Sequence, residues 1–145
     1  MSFPVPVPGL VIRYSYLWRD EHLRGREEGV KDRPCAIILV THAEGNDHTV
    51  TVLPVTHVPP IDPASAIEIP IQSKTRLALD GERSWIILNE ANRFIWPGPD
   101  LRPARHGDTA GIVYGLLPAK FYSRLVARFL QVHFEYRAGI VLRTE

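Results

Sequence analysis

Sulfur is nearly absent: the 145-residue chain holds one cysteine, Cys35, and one methionine. A single cysteine excludes an intramolecular disulfide and fits a reducing compartment. Cys35 sits in the apolar run Cys35-Ala36-Ile37-Ile38-Leu39-Val40. It reads as a buried small hydrophobe rather than a nucleophile, since nothing beside it marks an accessible, electropositive niche. An excess of one charge is also missing. Seventeen basic against 16 acidic residues leave a net charge of +1, which excludes the bulk basicity of a histone-like binder. A local basic patch stays open, because a phosphate backbone senses the local field.

No apolar run approaches the roughly 20 residues that span a bilayer. The start Met1-Ser2-Phe3-Pro4-Val5-Pro6-Val7-Pro8 lacks the basic and apolar parts of a secretory signal. The expectation is a soluble, cytoplasmic protein with no membrane partner. Walker loops, dinucleotide fingerprints and Gly-x-Ser-x-Gly elbows are absent. The six histidines show no metal-ligand spacing, although His42 and His48 flank a turn and would face each other across a hairpin. No metal and no cofactor is expected.

Proline, by contrast, is abundant: thirteen residues cut the chain into short pieces and argue against a long-helix bundle. Residues 1–8 read as an extended tail, and 9–145 as a single domain. Gly9 releases the chain into a first strand, Leu10 to Trp18. Residues 19–32 are mostly charged and read as an exposed loop with at most a short helical turn. Cys35–Thr41 is apolar throughout, as in a strand buried on both faces. A turn signal at Glu44-Gly45-Asn46-Asp47 and the alternating Thr49–Leu53 complete a hairpin. Shorter strands follow at Ala66–Pro70 and Ser84–Asn89, with a turn at Asp80-Gly81 between them and a break at Trp96-Pro97-Gly98-Pro99. From Pro118, Phe121, Leu125, Phe129 and Val132 recur at helical spacing, with Lys120, Arg124 and Arg128 on a further face. Ile140-Val141-Leu142 suits an extra strand. The fold class predicted is mainly β (α+β): a small, partly open antiparallel barrel, SH3-like, with a C-terminal α-helix.

Three segments in this order resemble the PemK/MazF toxin family. The first strand leads through a Gly- and Glu-containing loop, Gly25-Arg26-Glu27-Glu28-Gly29, to Arg33-Pro34 and an apolar strand. Val52-Leu53-Pro54-Val55-Thr56 is similar to that family's strand ending in Pro-Ile-Thr. Tyr114-Gly115-Leu116-Leu117-Pro118 is similar to its Gly-x-Leu turn before a helix. Together the matches run from about Gly9 to about Leu130. Where the family carries acidic or basic residues before its central break, this chain has Asn89-Glu90 in place of an Asp-Gln-like pair and no basic partner beside it.

The resemblance implies the toxin of a type II toxin–antitoxin system: a metal-independent, sequence-selective endoribonuclease that cuts single-stranded RNA and stops growth. It implies a homodimer with an RNA groove across its interface, blocked by a cognate antitoxin segment that folds on binding. The reaction is attack of a ribose 2′-hydroxyl on the adjacent phosphate. It needs a base, positive charge on the phosphorane and an acid.

Arg33 is the candidate for the charge, because its guanidinium forks onto phosphate oxygens; the plain alternative is an arginine pinning the loop through Glu27, Glu28 or Asp32. Thr56 offers a hydroxyl to the scissile phosphate, or only satisfies backbone groups after Pro54. Glu28 and Glu90 are the carboxylate candidates, each weighed against an ordinary surface glutamate. His57 suits acid or base, but reaches the same site as Thr56 only if the chain turns between them. Trp18 is placed to stack a base. Arg19, Arg24, Arg26 and Lys31 offer RNA contacts, although five acidic residues in the same loop offset the charge. Asn89 and Asn92 could read base edges or simply form turns. Two other readings stay open: a barrel that binds RNA, DNA or protein without cutting, and a toxin acting on a protein such as a topoisomerase.

Overall fold

A computed structural model describes residues 3–23, 25, 32–42, 47–104, 111–136 and 139–143. Among these residues eight strands form one sheet: β1 (Leu10–Tyr14), β2 (Arg33–His42), β3 (His48–Thr56), β4 (Ala66–Glu68), β5 (Trp85–Ile87), β6 (Glu90–Ile95), β7 (Val113–Leu116) and β8 (Gly139–Leu142). Among the described residues three α-helices accompany them: α1 (Arg19–Leu23), α2 (Ile71–Arg76) and the long α3 (Ala119–Tyr136). The main path runs β4-β5-β3-β2-β1-β7, with β6 on β3 and β8 on β6. All pairs are antiparallel except β6–β8. The sheet is not closed into a barrel.

β3 organises this sheet. One of its edges pairs along β2. The other is divided: Thr49–Val52 take β6, and Val55–Thr56 take β5. The apolar runs of β1, β2 and β3 follow from their place, since both faces are covered. Val11, Ala36, Ile38, Leu53 and Val55 pack on one side with Phe121, Leu125 and Val132 of α3. Ile12, Cys35, Ile37, Val50 and Val52 pack on the other with Tyr14 and Phe94. Cys35 is fully buried, and burial pushes its thiol well above the usual range. A reactive thiolate is disfavoured there.

Gly9 holds a left-handed φ of 90°, which lets it turn from the tail into β1 while its N–H donates to the Ile37 carbonyl. A side chain there would also meet the Tyr122 ring at 3.4 Å. The tail is anchored: Pro6 is buried, and the Trp96 indole donates to the Pro4 carbonyl at 3.0 Å.

Three elements go beyond the sequence expectation or differ from it. The span 71–76 forms α2, whose end is closed by Leu79 N–H donating to the Lys74 carbonyl and Ala78 N–H to the Thr75 carbonyl. That is a Schellman turn with Ala78, at φ 53°, where glycine is usual. Glu90–Ile95, which the sequence reading leaves unassigned, is a strand in which Ala91, Asn92 and Phe94 are buried. The segment read as a turn before the last helix is strand β7, paired with β1; α3 begins just after it, beyond Pro118.

Candidate active-site cleft

The β2–β3 hairpin brings Arg33 and Thr56 together. Cys35 pairs with Pro54, so continuing the register by two residues sets Arg33 opposite Thr56. The Arg33 Nη1 donates to the neighbouring Val55 carbonyl at 3.2 Å. Both side chains line two adjoining depressions, of about 460 and about 640 Å³. The first also holds Arg13, His57, Asp80 and Tyr114. The second holds Trp18, Pro59, Pro60, Asn89 and Glu90. The pair forms the ridge between them.

Arg33 is half-buried, and its guanidinium lies 4.8 Å over the Trp18 ring. A cation over an indole face is held in a fixed plane. Its Nε is buried with no hydrogen-bond partner among the described residues. Asp32 does not take it up, but faces Arg102 at 3.8 Å instead. Arg13, across the first depression, touches the Tyr114 hydroxyl at 3.4 Å. Neither guanidinium has a carboxylate partner among the described residues. Two guanidinium groups with no described carboxylate beside them attract an anion.

The Thr56 hydroxyl accepts from the Val58 N–H at 3.1 Å, which leaves its own proton to donate. β3 stops at Thr56, so His57 is released from the strand alternation and lines the same cleft. His57 Nδ1 lies 3.0 Å from the Arg83 carbonyl and 3.2 Å from the Ser84 hydroxyl. Its Nε2 lies 2.9 Å from Asp80 and 3.5 Å from Glu82. Lys74, only 2% exposed, donates to Asp80 at 2.9 Å, to the Ser84 hydroxyl at 2.8 Å and to the Glu82 carbonyl. Burial raises the Asp80 carboxyl, but the Lys74 hydrogen bond and the nearby positive charges bring it below its ordinary range.

Glu90 closes the second depression. Its Oε1 accepts from the Tyr16 hydroxyl and from the Arg19 N–H, both at 3.0 Å. The carboxylate thus anchors the first turn of α1 and fixes the approach of Trp18. Burial pushes the Glu90 carboxyl up, partly offset by the Arg19 and Tyr16 hydrogen bonds. A carboxyl raised in the fold binds its proton more tightly than in the unfolded chain, so stability falls as pH rises from about 4.3 through the raised value. Glu90→Gln keeps an acceptor and removes the titration. Urea unfolding at pH 4.5 and 7.5 should show the variant gaining stability relative to the parent at the higher pH. Parallel pH profiles would contradict this placement of Glu90.

The other sequence candidates separate clearly. Trp18 is half-buried and Asn89 is exposed, and both line the second depression. The Arg19 side chain packs toward Gly139, away from either depression. Asn92 needs a correction as an RNA contact. It is fully buried; its amide accepts from the Leu17 N–H and Arg143 and donates to the Leu17 carbonyl. At 0% exposure it presents nothing to a base. Arg24, Arg26, Glu28 and Lys31 lie outside the described residues.

Arg13, Tyr114 and Asp80 were not anticipated. A lone arginine in the apolar run of β1 was the available signal for Arg13; Tyr114 and Asp80 reach the cleft only through the pairing of β7 and the turn after α2. Comparison with protein-family models, with curated proteins and with solved structures gives no match. No helix is long and apolar enough to cross a membrane among the described residues.

Proposed function

We propose that this protein is a metal-independent, sequence-selective endoribonuclease of the PemK/MazF type, cutting single-stranded RNA as the toxin of a type II toxin–antitoxin pair. One observation carries the reading. Arg33 and Thr56 stand on a shared ridge, with His57 in one depression and Glu90 in the other. In-line displacement at phosphorus needs charge stabilisation at the centre and proton transfer on opposite sides. Arg33 and Thr56 hold the non-bridging oxygens. Glu90, with its raised carboxyl, takes the 2′-hydroxyl proton, and His57 protonates the leaving 5′-oxygen. The products are a 2′,3′-cyclic phosphate and a free 5′-hydroxyl. Trp18 and the apolar shelf of Pro59, Pro60 and Ile61 receive an unstacked base.

Two copies of the chain and a cognate antitoxin complete this proposal, the antitoxin segment filling the groove and blocking it. Incubation of the pure protein with mixed-sequence RNA and a chelator tests it. Discrete cleavage at a few short sequences is expected; intact RNA over hours at micromolar protein would refute it. A second reading, an RNA-binding module that does not cut, draws on the anchoring duty of Glu90 toward Tyr16 and Arg19. It would give salt-dependent binding with intact RNA.

A further inference from the structure

His57 and the turn after α2 contribute side chains that no sequence spacing unites. One ligand atom each from His57, Asp80 and Glu82 lies within 4.8 Å of the others. The ring orientation is informative. Nδ1 sits 3.0 Å from the Arg83 carbonyl, which can only accept, so Nδ1 bears a proton. In the neutral ring Nε2 then carries a lone pair. That lone pair faces the Asp80 Oδ2 at 2.9 Å and the Glu82 Oε2 at 3.5 Å. These three donor atoms lie close enough together for one cation, a proton or a metal ion, to be shared among them.

The supports are in place as well. Asp80 Oδ1 accepts from Lys74 Nζ at 2.9 Å and from the Glu82 N–H at 3.1 Å, which directs Oδ2 toward the histidine. Lys74 is buried, and its further bonds to the Ser84 hydroxyl and the Glu82 carbonyl fix the course of residues 80–84. A histidine held through its other nitrogen by a backbone carbonyl, with a hydrogen-bonded carboxylate beside it, is the support usual around a metal. Ligands about 2.0–2.2 Å from a tetrahedral ion stand about 3.3–3.5 Å apart. The 3.5 Å separation matches that spacing, and the 2.9 Å one would open by about half an ångström on binding.

We propose that His57, Asp80 and Glu82 form a binding site for a divalent cation of the zinc class on the rim of the cleft. One imidazole and two carboxylates suit Zn²⁺ better than Mg²⁺, which prefers all-oxygen octahedral sites. All three residues are exposed, so the remaining coordination position is open to water. The bound ion ties the end of β3 to the turn after α2. It also occupies the lone pair of His57, which makes it a brake on RNA cleavage rather than part of it.

The test reads binding, not cleavage, and stands whatever the RNA assay gives. The metal-free full chain is titrated with Zn²⁺, and separately with Mg²⁺, by isothermal calorimetry. One Zn²⁺ per chain at micromolar affinity is expected, with Mg²⁺ at least tenfold weaker. Zn²⁺ should also raise the melting temperature. His57→Ala and Glu82→Gln should each weaken Zn²⁺ at least tenfold. His42→Ala with His48→Ala should not, although those rings lie 4.7 Å apart across the hairpin. No Zn²⁺ heat, or binding that survives His57→Ala, or loss of binding in the His42/His48 pair, would each overturn the assignment. In the first case His57 does no more than contact the two carboxylates.

Discussion

Arg33→Ala should lower the rate of RNA cleavage by about 10²–10³-fold, the usual cost of removing a preorganised donor from a developing oxyanion. The side chain is positioned in advance by its stack on Trp18 and its bond to the Val55 carbonyl, while its buried Nε has no protein partner among the described residues. No described carboxylate neutralises that guanidinium, and a phosphate would supply the missing negative charge. Arg33→Lys should recover little of the rate, since a point charge cannot fork onto two oxygens in the plane set by the indole. Single-turnover kinetics on a cleavable oligonucleotide measure both variants, with circular dichroism to show that the fold is kept. A folded Arg33→Ala protein cutting within threefold of the parent rate would remove Arg33 from the chemistry.

The largest effect on stability is expected away from the cleft. Arg143 follows β8 and is buried at 8% exposure, beside Asp100 at 6%. Its Nη2 lies 3.0 Å from the Asp100 carboxylate, and its Nη1 donates to the Ser15 carbonyl at 2.9 Å and to Asn92 at 2.7 Å. Asp100→Ala leaves a buried guanidinium without its counter-charge. Removing one partner of such a pair costs about 3–5 kcal/mol, or about 10–20 °C in melting temperature for a chain of this size. Replacing both partners by apolar residues, Asp100→Leu with Arg143→Met, should cost much less, because no charge is stranded. Urea unfolding of the single and double variants gives the comparison. A loss under 1 kcal/mol for Asp100→Ala would mean that the pair is not buried as described.

The same network shows why the burial of Asn92 is not legible in the sequence. An asparagine between Ala91 and Arg93 has no local sign of burial. Its partners, Leu17 and Arg143, are remote in sequence, and they meet only because β8 returns in parallel beside β6. α2 was hidden for a related reason. Ile71-Gln72-Ser73-Lys74-Thr75-Arg76 is short and polar, and it is held by the burial of Ser73 and Lys74 rather than by an apolar stripe. β7 reads as a turn because Gly115 and Pro118 punctuate it, yet pairing with β1 decides the matter.

The hairpin and α3 were legible because their signals are local: alternation, a turn sequence and an apolar stripe at helical spacing. The convergence of Arg33 with Thr56 was only partly so. From Thr41 paired with Thr49, an unbroken register would set Arg33 against His57. The irregularity between Ile37 and Leu39 shifts the pairing by one residue and brings Thr56 opposite instead. A one-residue shift exchanges the faces of a strand, so this bulge selects which side chain joins Arg33 on the ridge.

The most direct measurement is the chemistry of the cut ends. A single-stranded oligoribonucleotide carrying a cleaved sequence is digested in the presence of a chelator, and the fragments are weighed by mass spectrometry. The upstream fragment should end in a 2′,3′-cyclic phosphate and the downstream one begin with a 5′-hydroxyl, while an oligonucleotide with a 2′-deoxy sugar at the cut position stays intact. Cleavage of the deoxy substrate, a 5′-phosphate product or no cleavage at all would contradict a cleft in which Arg33 and Thr56 hold a phosphate under attack by its own ribose.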